Sequence, residues 1–116
     1  MKDSELAFTE QSPQQQVVEA ASAMLRGELG IIEGSRLLAG LCCRVSSLEH
    51  DPDFLCFVGI DSETDHLPIG EIRQHWASEA LAVKDAEIRA AESFHRDHAI
   101  AACQVLLRRF HGGGLA

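Results

Sequence analysis

Asp61, Glu63 and Asp65 alternate along the chain, with His66 next to them and Glu71 and His75 close behind. Carboxylates brought together by folding repel one another, and a divalent cation held between them would relieve that repulsion. A calcium-binding loop with this opening needs Gly at its sixth position and a bidentate Glu at its twelfth. Those places hold His66 and Ile72, so that reading fails. What remains for metal is a looser site built from Asp61, Glu63, Asp65, His66 and His75. The plainer reading has Asp61 and Ser62 capping a turn while the other acids are solvated. We take the plainer one, which needs no cofactor, and keep a divalent metal as the alternative.

These residues belong to a longer pattern. Between Arg44 and Arg73 stand seven carboxylates (Glu49, Asp51, Asp53, Asp61, Glu63, Asp65 and Glu71) and neither Lys nor Arg. In their midst the run Phe54-Leu55-Cys56-Phe57-Val58-Gly59-Ile60 must be buried. Folding would then press unneutralised acids around an apolar anchor, a cost that a positively charged partner offsets. The expected partner-binding set is Asp51, Asp53, Asp61, Glu63, Asp65, His66 and Glu71, with Trp76 as an aromatic anchor unless it closes the core. A net charge of −8 and a pI near 5.1 would attract a basic protein and repel a nucleic-acid backbone. The expected role is a non-enzymatic, cytoplasmic protein-binding module that presents residues 49–71 to a basic protein.

Other constellations are less complete. Glu92 and His95 share a helix face at the spacing of di-iron bundles, which require a second such pair and two further glutamates. Glu63 and His66 repeat that spacing, but in the stretch read as an irregular connection rather than on a helix. There is no Gly-rich phosphate loop, Gly-x-Ser-x-Gly elbow or His-Glu-x-x-His. The four cysteines match no zinc pattern and read as reduced, buried thiols in a cytoplasmic protein. The first residues carry no signal peptide, and no stretch reaches the roughly 20 apolar residues of a membrane span.

The positioning elements follow from caps and periodicity. Ser12-Pro13 starts a helix whose apolar face is Val17, Val18, Ala21, Met24 and Leu25, ended by Gly27 or Gly30. A second helix carries Ile31, Gly34, Leu38, Leu41 or Cys42, and Val45, with Gly34 and Gly40 marking close helix contact. Asp51-Pro52 starts a short third helix through Phe54, Phe57 and Val58, preferred over a buried strand that would have no partner. Residues 61–77 form an irregular acidic connection pinned by Leu67, Ile69, Ile72 and Trp76. Ser78 caps a last helix running to Phe110, about 50 Å at 1.5 Å per residue, before Gly112-Gly113-Gly114. Its buried stripe is Leu81, Ile88, Ala91, Ala99, Ala102, Leu106 and Phe110. Asp85 pairs with Arg89 and Glu92 with Arg96, one turn apart.

The expected fold is therefore all-α: a compact bundle of about four helices with a long C-terminal helix and an ordered acidic loop. Residues 12–111 form one helical domain, flanked by a flexible segment at 1–11 and a flexible Gly-rich tail at 112–116. Val105, Leu106, Leu107 and Phe110 are apolar on more than one face, which predicts a homodimer through the end of the last helix.

Three resemblances accompany these readings. Arg44-x5-His50 and Arg89-x5-His95 resemble the Arg…His pairs of the HEPN family of all-helical RNases. That likeness implies polarisation of an RNA 2′-hydroxyl and phosphate, and supplies the alternative of a HEPN-like or divalent-metal-dependent helical enzyme. Glu33-Gly34-Ser35-Arg36, Phe57 to Asp65 and Leu67-Pro68 resemble a small bacterial helical domain family without established activity. The likeness spans about residues 27–108 and implies bacterial origin and small helical size. In size and charge the chain is also similar to immunity proteins, which implies inhibition of a basic toxin-like partner.

Overall fold

The computed structural model describes residues 11–48 and 50–111. The segments expected to be flexible, apart from Gln11, lie outside them, as does Glu49. Four α-helices make up an all-α bundle: α1 (Pro13–Leu25), α2 (Ile31–Val45), α3 (Pro52–Thr64) and α4 (Ser78–Leu106). A 3-10 helix, Gly70–His75, precedes α4, and a π-turn, Leu107–His111, ends it. Among the described residues there is no strand, so the apolar run at 54–60 is helix.

Local chemistry explains the starts. Ser12 accepts from the Gln15 N–H at 3.1 Å while Gln15 accepts from the Ser12 N–H at 3.0 Å, a capping box ahead of Pro13. Gly27, at φ +77°, turns the chain after α1, a conformation that favours glycine. Asp51 accepts from the Asp53 N–H at 3.0 Å and starts α3. Ser78 does not cap α4. Ala77 holds the cap position without a side-chain bond, and Ser78 is the first helical residue.

The core joins all four helices through Ala21 and Met24, Leu38 and Leu41, Phe54 and Phe57, and Cys103 and Leu106. Gly34 lets α2 approach α1 closely, because a Cβ there would overlap the Met24 side chain. Gly40 does not serve the same purpose, since nothing lies within 4 Å of its missing Cβ.

Three expectations are corrected by long-range partners. First, α3 continues through Asp61, Ser62, Glu63 and Thr64, so the irregular connection is shorter than 61–77. The Arg36 guanidinium of α2 closes this longer helix, donating to the carbonyls of Thr64 and Leu67 (2.9 Å for Leu67). Second, Asp85 and Glu92 do not pair along their own helix. Arg73 takes Asp85 at 2.8 Å, and Glu92 accepts from the Ile32 N–H at 3.3 Å, placing negative charge at the N-terminus of α2. Third, the last turns of α4 are covered by the chain itself. Phe110 packs edge-on against Phe54 with ring centroids 6.2 Å apart, and Leu106 is fully buried. Part of the surface expected to dimerise is thus covered within the chain, while Val105, Leu107 and Phe110 stay half-buried.

Only Ala99, Cys103 and Leu106 of α4 are buried, so Leu81, Ile88 and Ala91 contribute less than their spacing suggested. The cysteines also divide. Cys103 is buried, its thiol pushed up to about 12 by desolvation, whereas Cys42 and Cys56 are half-buried and Cys43 is exposed. A thiol reagent is therefore expected to label Cys43 first and Cys103 only on unfolding, a sequence that peptide mass analysis over time would read. No described helix is long and apolar enough to cross a membrane.

Candidate functional site

Three of the seven acids between Arg44 and Arg73 face an arginine from elsewhere in the chain. Asp51 is only 1% exposed, and Arg109 clamps it with both guanidinium nitrogens, 2.9 Å to each carboxylate oxygen. The same guanidinium reaches Asp53 at 2.9 Å. Arg109, helped by the Ser46 hydroxyl and the Asp53 N–H, holds Asp51 down at about 2 against its burial. Asp61 faces Arg36 at 3.5 Å. Asp51 is the buried one of the three, while Asp53 and Asp61 are paired at partly exposed positions. For these three the picture of an unneutralised cluster is corrected, because their cations stand outside the sequence window.

Glu63, Asp65 and Glu71 remain. Glu63, on α3, has a side chain 68% exposed and lies 3.3 Å from Nε2 of His95 on α4. Asp65 and Glu71 are exposed and have no ion pair among the described residues. His66 is exposed, 3.8 Å from Glu87, and His75 is exposed at the end of the 3-10 helix. Trp76 is half-buried and outside the main core cluster.

The looser metal set does not come together. Helical geometry turns each residue by about 100°, so Asp61 and Glu63 leave α3 in different directions, one to Arg36 and the other to His95. Among the described residues no three His, Cys, Asp or Glu side chains gather as metal ligands. The Glu92…His95 pair is split in the same way, Glu92 serving α2 and His95 meeting Glu63. Of the HEPN-like residues, Arg44, His50 and Arg89 are exposed and His95 is engaged with Glu63.

What the sequence did not reveal is the outer face of α3. Phe54, Phe57 and Ile60 are buried, yet Leu55 and Val58, on the other side, are 49% and 42% exposed. Gly59, Ser62 and Glu63 continue that face at helical spacing, His66 follows just beyond the end of α3, and all are exposed. A helix apolar on both sides is ordinarily covered on both. The signal was present in the uninterrupted apolar run, which was read as wholly buried. Beside this face, between α3 and α4, lies a cleft of about 320 Å³ lined by Leu55, Cys56, Gly59, Ile60, Glu63, His95 and His98. Burial raises the Cys56 thiol, the opposite of what a nucleophile needs. The cleft therefore offers an apolar floor, one acid and two imidazoles. Comparison of the chain with protein-family models, with curated proteins and with solved structures finds no match.

Proposed function

We propose that the chain is a non-enzymatic binding module that docks a basic protein on the outer face of α3, in the manner of an immunity-type inhibitor. The observation that carries this reading is the exposure of Leu55 and Val58 on a helix whose opposite side is fully buried. Glu63 stands about two turns further along the same face, and Asp65 and Glu71 follow with no ion pair among the described residues. The net charge of −8 supports a basic partner, and the proposed setting is the cytoplasm of a bacterium. Once a partner is captured from a lysate, Leu55→Asp and Val58→Asp are each expected to weaken binding about tenfold or more. Glu63→Lys combined with Asp65→Lys should slow association and flatten its salt dependence, since those charges are at the rim. Affinity indifferent to all four changes refutes the reading.

The homodimer is retained as a proposal on a different surface. Phe94 is 77% exposed on the long helix, and Val83, three turns earlier on the same side, is exposed too. Both point away from the side that carries Ala99, Cys103 and Leu106, and Ala90 lies between them. Light scattering at micromolar concentration should return twice the mass of 12.7 kDa, and Phe94→Asp should return the single mass. A single mass for the unaltered chain ends this proposal.

A further inference from the structure

We infer that the cleft between α3 and α4 receives one amphipathic helix of the basic partner. Its apolar anchors would sit over Gly59, and a Lys or Arg about two turns along would reach Glu63. The inference rests on the binding reading above and specifies the element bound.

Shape supports a helix. A partner strand needs a sheet edge to pair with, and the described residues contain no strand. A helix satisfies its own backbone hydrogen bonds and brings only side chains to a groove. At Gly59 nothing lies within 4 Å of where a Cβ would stand, so the α3 backbone is bare on this side. Another helix could therefore come closer than the usual 8–10 Å. Leu55, Cys56 and Ile60 make the floor apolar around that point.

Charge supports a basic flank. Leu55 and Glu63 are eight residues apart, about 12 Å along the helix, so the cleft is apolar at one end and acidic at the other. Glu63 is the cleft's only carboxylate, and the neighbour it has is His95, which is cationic only when protonated. A Lys or Arg would give Glu63 a permanent counter-charge.

The test uses the full chain and two synthetic amphipathic helices of about four turns, one of Leu and Lys and one of Leu and Glu, titrated by calorimetry. The Lys peptide is expected to bind and the Glu peptide not to. Gly59→Leu fills open space without a clash and replaces a helix-interior glycine, so α3 should melt no lower than before. It should nevertheless weaken the Lys peptide at least tenfold. Glu63→Lys should weaken it and reduce the salt dependence. Leu37→Asp, at an exposed position lining the separate α1–α2 cleft, should leave binding unchanged. If the Lys peptide binds Gly59→Leu and Glu63→Lys as tightly as the unaltered chain, the cleft is refuted while a basic partner docking elsewhere survives. If neither peptide binds, or both bind alike, the cleft and the basic-partner reading fall together.

Discussion

Arg109→Ala is expected to lower the stability of the fold by about 3 kcal/mol and its melting temperature by roughly 10–15 °C. The substitution leaves Asp51, 1% exposed, without the guanidinium that contacts both its oxygens. Breaking a fully buried pair costs about 3–5 kcal/mol, and the lower end applies because Arg109 itself is one-third exposed. Asp51→Asn should cost less, since it leaves behind a cation that water can reach and keeps a side chain able to cap α3. The pair also sets a pH dependence. Asp51 titrates at about 2 in the folded chain against an ordinary 3.8. A folded value below the unfolded one contributes stability that is complete above about pH 4 and lost as the pH falls through 2. Urea melts followed by the fluorescence of Trp76 should show that loss in the unaltered chain, and a flatter profile between pH 4 and 2 in Arg109→Ala. A melting temperature within a degree or two of the original would remove the ion pair from the account of stability.

Arg36→Ala is the second large effect, expected at about 2–3 kcal/mol. Its guanidinium donates to the carbonyls of Thr64 and Leu67 and faces Asp61, so one cation serves three acceptors at the negative end of α3. Removing it leaves helix-terminal carbonyls half-enclosed with no donor. One terminal nitrogen of Arg36 serves both carbonyls while Nε faces Asp61, so Arg36→Lys, with a single ammonium, should recover only part of the loss. Hydrogen exchange would localise the damage: amides over residues 61–67 should lose protection first. Uniform loss over all four helices would show that Arg36 acts through the general core instead.

How much could be read in advance depends on how far each cause lies from its effect along the chain. Ser12-Pro13, Asp51-Pro52 and Gly27 act within a turn of themselves, and the helices they start or stop stand where expected. Gly34 and Gly40 look alike in the sequence, yet one meets Met24 and the other meets nothing, because only α1 decides which face is covered. The acids misled for the same reason. Counting charges between residues 44 and 73 cannot find Arg36, which lies before the window, or Arg109, far beyond it. The candidate surface was half legible. Glu63, Asp65 and Glu71 are exposed, while Asp51, Asp53 and Asp61 face arginines. Leu55 and Val58 were hidden in a run whose apolar character said that burial was needed without saying by what.

The bond between Asp51 and Arg109 also has a temporal meaning. A chain is made from its N-terminus, at roughly 5–20 residues per second, so several seconds separate the appearance of Thr64 from that of Arg109. During that interval Phe54 has not met Phe110, and Asp51 has not met Arg109. Ala99, Cys103 and Leu106, the buried contribution of α4, arrive almost together with Arg109. The partners that cover Phe54 and neutralise Asp51 in the finished fold are therefore among the last parts of the described chain to be made.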